Sequence, residues 1–308
     1  MNSKVKLIQL LANSSIVSGK VIAEKLQVSR NMVWKWVNAL IEDGFDIKSS
    51  PKGYSLISFP QKITAEEVCL NLTDEFDVQV FDSLTSTNAY CHDHAEEFKK
   101  NTLIIARTQT AGKGRLNRNF YSNGGLYMSF FFREELDISH APHLTLYTAI
   151  MVARAIESVC NISVKIKWVN DLFINDKKVC GILSEANLSC EEKKIKHFTI
   201  GIGVNTNTNT FPNELKDIAT SICLESQKPV NTSVLAGVIA KNMATLPSGV
   251  TQKEFLNEYK SRCFIIGKTV FVDGQSALVL DVLKDGSLLV DIMGEKKKLY
   301  AGEVSIKL

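Results

Sequence analysis

A basic, glycine-containing loop carries the strongest chemical signal in this sequence. Gly112 and Gly114 let the backbone approach an anion closely and turn its amide groups toward it. Lys113, Arg115 and Arg118 place three cations within six positions of the same loop. Such a loop suits a phosphate, above all one whose charge grows as pyrophosphate departs. The alternative is a mobile, solvated basic loop, which Gly-Lys-Gly-Arg alone does not exclude.

A second group of polar side chains lies beyond this loop, where predicted strands end. Asn170 and Asp171 close the segment Lys167-Trp168-Val169-Asn170-Asp171, and Lys178 follows seven positions later. A single carboxylate is how Mg²⁺ usually meets nucleotides, so Asp171 is a candidate Mg²⁺ ligand. Lys178 lies just past a hairpin turn and can point a cation into the same cleft. Taken singly, such Asp and Lys residues are more often turn and surface residues.

Other familiar nucleotide and metal signatures are incomplete. The basic loop is not a Walker A loop, because Arg107 stands where that motif needs its first glycine. Gly201-x-Gly203 is not a dinucleotide fingerprint, because Thr206 takes the third glycine position. Cys91-His92-x-His94 lacks a second ligand pair at a usual spacing, so zinc is not expected.

Composition bounds the class of protein. The 308 residues are long for one domain and sufficient for two or three, and 45% hydrophobic with 22% charged residues is ordinary for a globular protein. No apolar run suits a signal peptide or a membrane span, so no membrane association is expected. Seven cysteines without a C-x-x-C pair indicate reduced thiols and a cytoplasmic protein.

The N-terminal sixty residues differ from the rest in charge. They hold eight Lys and Arg against four Asp and Glu, a charge of +4, although the whole chain carries only +3. A polyanion is therefore expected to bind at this end. Apolar spacing predicts one helix ending near Asn13, a second over Gly19–Leu26 and a third from Ser29 to about Asp43, where Gly44 suits a left-handed cap.

The third helix has the pattern of a DNA-recognition helix. One face is apolar, and the other carries polar side chains at the i, i+3, i+4, i+7 spacing. Strands Asp46–Ser49 and Tyr54–Ile57 then form a small hairpin, which predicts a winged helix-turn-helix. The alternative is a basic module that binds protein, or merely a solvated face. The residues expected to contact DNA are Ser29, Arg30, Asn31, Trp34, Lys35, Asn38, Lys48 and Lys52.

Strands and helices alternate after a predicted linker at Ile57–Ile63. Asp285-Gly286 predicts a hairpin turn within Gly267–Leu308, whose alternation of polar and apolar residues predicts a small β-barrel. Strands are predicted at Asn101–Arg107, Leu126–Phe132, Val164–Trp168, Leu172–Ile174, Val179–Ser184, Phe198–Val204, Val279–Leu283 and Leu288–Ile292. Helices are predicted at His143–Val159, Val234–Leu246 and Phe255–Arg262.

Six short motifs follow one another along the middle of the chain. They are Ser86-Thr87-Asn88, Gln109-x-x-Gly112-Lys113-Gly114-Arg115, Gly124-Gly125-Leu126-Tyr127-Met128-Ser129, Lys167-Trp168-x-Asn170-Asp171, Lys178-Val179-x-Gly181-Ile182-Leu183 and Gly201-Ile202-Gly203-Val204-Asn205. One motif means little, but six in this order resemble the biotin protein ligase family, specifically its bifunctional class that doubles as the biotin operon repressor.

This resemblance implies an α+β chain of three domains. A winged helix-turn-helix covers residues 1–60, and a biotin- and ATP-binding catalytic domain with a mixed sheet, similar to class II synthetases, covers residues 61–264. A small β-barrel covers residues 265–308. The sequence departs from the family at Val169, where proline is usual, and at Phe120, where an aromatic residue, often tryptophan, covers the adenine; phenylalanine keeps a π face but lacks the N–H donor.

The resemblance also implies the reaction and its residues. The enzyme would join biotin to AMP with ATP and Mg²⁺, release pyrophosphate, and pass biotin to a lysine of a biotin carboxyl carrier protein. Arg115, Lys178 and Asp171 would be catalytic. Biotin would be bound by Ser86, Thr87, Asn88, Gln109, Gly112, Lys113, Gly114, Arg115 and Lys178. The ATP and adenylate contacts would be Lys113, Arg115, Arg118, Phe120, Asn170 and Asn205.

Joining a DNA-binding module to an adenylating domain suggests that the adenylate is also the corepressor. We expect it to order the loop Gly112–Asn119, which would build a homodimer surface and pair two winged modules on operator DNA. Two other interpretations stay open. A lipoate ligase would share the fold, although the DNA module and the Gly-Lys-Gly-Arg loop argue against it. A repressor that senses a ligand without catalysis is opposed by Arg115, Asp171 and Lys178.

Overall fold

The chain folds into three sheets that follow one another along the sequence. In a computed structural model, which describes residues 3–72, 74–189, 191–252 and 254–300, these sheets contain two, eight and four strands. None of the helices in these ranges is long and apolar enough to cross a membrane. An N-terminal helix-turn-helix, a central mixed sheet and a C-terminal antiparallel sheet confirm the predicted α+β class.

The N-terminal module is a winged helix-turn-helix with its own apolar core. Ser18 and Ser29 begin the second and third helices, because each hydroxyl accepts a hydrogen bond from an amide of the first turn, at 3.3 and 3.2 Å. Gly53 has φ +137°, and a Cβ there would lie 2.2 Å from the Val17 carbonyl oxygen, so the wing must turn on a glycine. The elements are α1 (Ser3–Ala12), α2 (Gly19–Leu26), α3 (Arg30–Glu42), β1 (Asp46–Ser50) and β2 (Gly53–Ser58).

The central sheet contains eight strands: β3 (Asp77–Leu84), β4 (Thr102–Gln109), β5 (Leu126–Phe132), β6 (Leu136–Asp137), β7 (Lys165–Lys167), β8 (Asp171–Ile174), β9 (Lys177–Ser189) and β10 (Lys194–Val204). Their order is β3-β4-β5-β10-β9-β8-β7, with β6 also paired to β10. Only β3 and β4 among these pair in parallel; the other neighbours are antiparallel.

Helices cover one face of this sheet and leave part of the other face open. Alternation along β10 puts Ile200 and Ile202 in the core, whereas Gly201 and Gly203 face the opposite side. Most of the long helix Ala141–Cys160 is buried against the sheet and two further helices. The helices are α4 (Ala65–Val68), α5 (Thr87–Asp93), α6 (Ala141–Cys160), α7 (Ile222–Ser226), α8 (Thr232–Met243), α9 (Leu246–Gly249) and α10 (Phe255–Arg262).

The C-terminal sheet is an antiparallel meander of four strands, β11 (Thr269–Val272), β12 (Gln275–Val282), β13 (Leu288–Ile292) and β14 (Glu295–Leu299). Its buried side chains belong to the same apolar cluster as the central core. Gly286 lies in the predicted hairpin turn with φ +81°. Residues 301–308 of the predicted barrel lie outside the described residues, and closure of this sheet into a barrel stays a prediction.

Several element boundaries differ from those predicted. The expected linker begins later, because strand β2 runs on to Ser58, which pairs with Asp46 in the wing. Strand β9 runs on to Ser189 in a hairpin with β10, although residues 185–188 are exposed. The predicted helix Val234–Leu246 ends at Met243, and Pro247 instead lies at the start of a separate short turn, since proline fits the first turn of a helix.

Candidate active site

A cavity of about 320 Å³ opens on the free face of the central sheet. Its size suits a small organic ligand. The motifs that lie far apart in the sequence converge on it from the β4–β5 loop, the start of α5, and strands β8, β9 and β10. The predicted biotin, ATP and catalytic residues that line it are Ser86, Thr87, Asn88, Gln109, Lys113, Gly114, Arg115, Arg118, Phe120, Asn170, Asp171, Lys178 and Asn205.

One end of the cavity is neutral and polar, and the start of α5 builds it. Ser86 caps that helix by accepting a hydrogen bond from the amide of Ala89 at 3.4 Å. The amide and the hydroxyl of Thr87 both donate to Gln109 Oε1, at 2.8 and 3.2 Å. This pairing fixes which way the Gln109 amide points, so its Nε2 faces Ser122 Oγ at 3.3 Å.

Asn88 is held from both ends of its amide. Ser129 Oγ lies 2.6 Å from Asn88 Oδ1, and Asn88 Nδ2 donates to Glu185 Oε2 at 2.6 Å. Ser129 is fully buried and also lies 2.7 Å from the Thr87 hydroxyl. Ser129 and Glu185 have no role in the sequence-based prediction, although Ser129 ends one motif and Glu185 lies two positions after another. A buried serine in the apolar run Leu126–Phe132 was the available signal.

The basic loop is folded back on itself. Phe120 N donates to Gly112 O at 2.8 Å, and Gly114 N donates to Arg118 O at 2.7 Å. Gly112 lies behind the cavity wall, where a Cβ would come within 2.9 Å of both Gln109 Nε2 and Ser122 Oγ. At the loop tip, the Leu116 side chain is 69% exposed with φ +55°. Gly112 is therefore needed because a side chain at this position would collide with Gln109 and Ser122.

The other end of the cavity is charged. Lys178 Nζ lies 2.7 Å from Asp171 Oδ1, and Arg115 Nη1 donates to Asn170 Oδ1 at 3.1 Å. Asn170 is itself fixed, because its Nδ2 and its backbone carbonyl both bond the backbone of Ile182 at 3.0 Å. The predicted catalytic residues are thus neighbours. The cations Arg115 and Lys178 both lie at this end, and an anionic ligand can replace the neighbouring side chain that each of them contacts.

Beside Lys178, at the charged end, an aromatic ring lies against the glycines of the sheet. A Cβ on Gly203 would come within 2.6 Å of the Phe120 ring, and one on Gly181 within 3.3 Å. Asn205, beside this region, donates from Nδ2 to Thr220 O at 3.0 Å. The Phe120 ring therefore packs directly against the bare strand face at Gly203.

A segment after β10 forms the outer wall, and the sequence analysis missed it. Lys178 N donates to Ile218 O, and Thr220 N donates to Lys178 O, both at 2.9 Å. Phe211 and Leu215 also line the cavity. Apolar side chains within a segment rich in Asn and Thr were the signal that could have revealed it.

The cavity supplies no activated nucleophile among its described residues. Cys180 lines the cavity, but burial raises the pKa of its thiol well above the usual range. Burial likewise raises the pKa of the Tyr259 hydroxyl, which donates to Val169 O at 3.0 Å. A thiol held neutral is a weak nucleophile. The site therefore suits a reaction between two bound substrates.

Seven of the eight predicted DNA-contacting residues are exposed on the winged module. Trp34 is 54% exposed, and Asn38 at the far end of α3 is half-buried. Ser29 caps α3 through its oxygen, which leaves its hydroxyl hydrogen to donate. The remaining members, all exposed, are Arg30, Asn31, Lys35, Lys48 and Lys52.

Comparison with known proteins finds the same two parts. Residues 4–55 match the family described as HTH domain, and residues 80–205 match the Biotin/lipoate A/B protein ligase family. Over 237 residues the chain is 38% identical to bifunctional ligase/repressor BirA of Bacillus spizizenii, covering 74% of this chain and 71% of that protein. It is 30% identical over 314 residues to bifunctional ligase/repressor BirA of Escherichia coli K12, covering 98% and 97%.

A solved structure shows the same fold. A biotin protein ligase from Aquifex aeolicus in complex with biotin and ATP covers 74% of this chain and 97% of its own, with a TM-score of 0.62 and 28% identity.

Proposed function

Since the chain belongs to the family of bifunctional biotin ligase/repressor proteins, we propose that its cavity binds biotin and ATP end to end and joins biotin to AMP. The biotin carboxylate attacks the α-phosphate of ATP, which gives biotinyl-5′-AMP and pyrophosphate. The lysine amine of a biotin carboxyl carrier protein then attacks the mixed anhydride, and AMP leaves. No covalent bond to the enzyme is needed, in keeping with a cavity that holds no activated nucleophile among its described residues.

One observation carries this proposal: the cavity is neutral and polar at one end and cationic at the other. The ureido ring of biotin needs donors and acceptors at fixed places, and Ser86, Thr87 and Gln109 offer them around the start of α5. Arg115 and Lys178 lie at the other end, where the carboxylate meets the α-phosphate. Their charge opposes the negative charge that grows in the transition state.

The remaining contacts follow from this orientation. Lys113 and Gly114 close over the biotin and the phosphates, with Gly112 allowing the loop to pack, and Arg118 adds a third cation. Adenine packs against the Phe120 ring, with Asn205 and Asn170 beside it. Asn88 acts by fixing the biotin end, since Ser129 and Glu185 engage its amide.

Mg²⁺ fits this site through one carboxylate. Within the described ranges no three His, Cys, Asp or Glu residues cluster as a protein-only metal site. Mg²⁺ with nucleotides takes one or two carboxylates plus phosphate oxygens, and Asp171 supplies such a carboxylate at the cavity wall. Bound there, the ion would neutralise charge on the phosphates. Lys178, now paired with Asp171, would turn toward the biotin carboxylate.

We assign the second role, repression of biotin synthesis genes, to the winged module and a homodimer. Two features support dimerisation. Leu116 exposes an apolar side chain on the loop that closes over the adenylate. Residues 183–189 of β9 pair only with β10 among the described strands, so their other edge offers unpaired backbone groups. Sedimentation showing one dimerisation constant with and without biotinyl-5′-AMP would overturn this coupling.

The cysteines support a reducing compartment, and we place the protein in the cytoplasm. The six cysteines that the structure describes are free thiols. Structural disulfides are common where the environment is oxidising.

Transfer of labelled biotin to a biotin carboxyl carrier domain tests the ligase function. We expect labelling of its lysine with ATP and Mg²⁺, and none when lipoate replaces biotin on a lipoyl domain. Labelling with lipoate alone would assign the chain to the sister activity. Binding of biotin without any transfer would leave a sensor that represses without catalysis.

A further inference from the structure

The C-terminal sheet reaches the cavity wall without entering the cavity. No described residue beyond Ala219 lines the cavity. Yet the buried side chains of this sheet, such as Val279 and Val290, pack in one cluster with Ile166 and Leu172 of the strands that flank the charged end. Any effect of this sheet on the reaction must therefore be transmitted by its contacts with the central domain.

The turn between β12 and β13 is a rigid contact point. Leu283 N donates to Ser287 O at 2.8 Å, and Gly286 N donates to Leu283 O at 2.9 Å. Asp285 Oδ1 accepts a hydrogen bond from Ser287 N at 3.1 Å and closes the turn further. The Ser287 hydroxyl also donates to Asp285 and, with that amide, lowers the pKa of this carboxyl.

Two side chains of the central domain hold this turn by its carbonyl groups. Trp168 Nε1 donates to Gly286 O at 3.0 Å, and the ring is 4% exposed. His143 Nε2 lies 3.0 Å from Lys284 O, which requires the hydrogen on that nitrogen. A Cβ on Gly286 would come within 3.2 Å of the Pro142 Cβ, so the turn lies directly on the start of α6.

Trp168 begins the segment that carries the charged end of the site. The backbone carbonyl of the next residue, Val169, accepts the hydrogen bond from Tyr259. Asn170 then pairs with Ile182 and accepts from Arg115, and Asp171 pairs with Lys178. The ring of Trp168 is thus the part of this segment that faces the C-terminal sheet.

We propose that Trp168 is a positioning residue through which the C-terminal turn sets Asn170 and Asp171, and with them Arg115 and Lys178. The inference rests on the proposed adenylation at this cavity. Through this contact, a sheet whose described residues line none of the cavity would influence the reaction. The biotin end, built by α5, β4 and β5, is not part of this connection.

The test variant is Trp168→Phe, which keeps a ring in the core and removes the N–H donor. A neutral hydrogen bond predicts a loss of about three- to tenfold in the single-turnover rate of adenylation. The rate is normalised to the concentration of active sites, so a partly unfolded sample does not mimic the effect. We expect the dissociation constant of biotin to stay within about twofold, because Trp168 lines the cavity at its charged end and the biotin end is built by other residues.

Two further variants keep the test decisive if Trp168→Phe fails to fold. Asp285→Ala loosens the turn and should slow adenylation in the same way. Asp281→Asn is the matched control, because it breaks the 2.7 Å ion pair with Lys260 that also joins the C-terminal sheet to the central domain. A clamp that merely stabilises the fold predicts equal effects for Asp281→Asn and Asp285→Ala. That result, or a wild-type rate in Asp285→Ala and Trp168→Phe, would overturn the proposal.

Tryptophan fluorescence separates this inference from the proposed function. The chain has three tryptophans, and replacing Trp34 and Trp36 in the winged module by Phe leaves Trp168 alone. In that background, Asp285→Ala should shift the emission of Trp168, whereas Asp281→Asn should not. The shift does not need catalysis. If the wild type adenylates no biotin, the proposed function fails while the fluorescence still tests the connection.

Discussion

Two glycines on one face of β10 separate the two ends of the cavity, and their alanine variants should have different effects. Gly201 lies against Asn88: a Cβ there would fall 2.2 Å from Asn88 Oδ1. Gly203 lies against the Phe120 ring, at 2.6 Å from a Cβ. Because both variants add one methyl group to the same strand face, Gly203→Ala is the matched control for Gly201→Ala.

The cost of Gly201→Ala follows from the contacts of Asn88. Its amide must move by about 1 Å to restore ordinary van der Waals contact. It is fixed by Ser129 and by the Glu185 carboxylate, each at 2.6 Å, so the movement breaks both hydrogen bonds. Because one neutral hydrogen bond and one hydrogen bond to a carboxylate are lost, we expect a cost of about 2–3 kcal/mol in free energy. If this loss falls on binding, the dissociation constant of biotin rises roughly 30- to 150-fold.

Biotin binding is measured by calorimetric titration without ATP. The Michaelis constant for ATP is then measured in the adenylation reaction. Gly203→Ala should leave biotin binding within about threefold and raise the constant for ATP by roughly tenfold, the value of one stacked base. Circular dichroism checks that both variants are folded. Biotin binding by Gly201→Ala at the wild-type strength, or equal effects of the two variants on both substrates, would refute this assignment of the two ends.

Three other predictions concern separate parts of the molecule. Arg115→Ala and Lys178→Ala should each cost about 2–4 kcal/mol in the adenylation transition state, and a near-wild-type rate in pre-steady-state kinetics would remove that residue from the mechanism. Lys48→Ala should weaken DNA binding equally for all sequences and reduce the salt dependence by about one ion, whereas Arg30→Ala should alter sequence preference; filter binding at several salt concentrations distinguishes them. Burial opposes ionisation of Glu157, but the hydrogen bonds from Arg262 and Val164 N–H outweigh it and lower the pKa of this carboxyl. Its stabilisation is then complete above its unfolded pKa of about 4.3 and is lost as the pH falls below that value. Denaturant titrations should therefore show that the free energy of unfolding falls less at acid pH in Glu157→Gln than in the wild type. An equal fall in both proteins would contradict this.

The winged module was predictable because its signals are local. Ser29 as a cap, Gly44 with its positive φ and the helix Gly19–Leu26 each depend on a few neighbouring residues. The same holds for the turn at Asp285-Gly286.

The candidate site was predictable as a set of motifs and not as a geometry. The motifs named the residues that line the cavity, but nothing local indicated that Asn88 is held by Ser129 and Glu185. Strand β3 went unpredicted because none of its eight residues is buried, so the strand shows little contrast between a core face and a solvent face. The contact between Trp168 and Gly286 joins residues 118 positions apart, and no sequence pattern marks it.

Biotin-dependent exchange of labelled pyrophosphate into ATP, with Mg²⁺ and purified protein, tests the central claim most directly. The measurement detects reversible formation of the adenylate and needs neither carrier protein nor DNA. We expect exchange with biotin and none with lipoate. Exchange with lipoate instead, or none with either compound while biotin still binds, would contradict it.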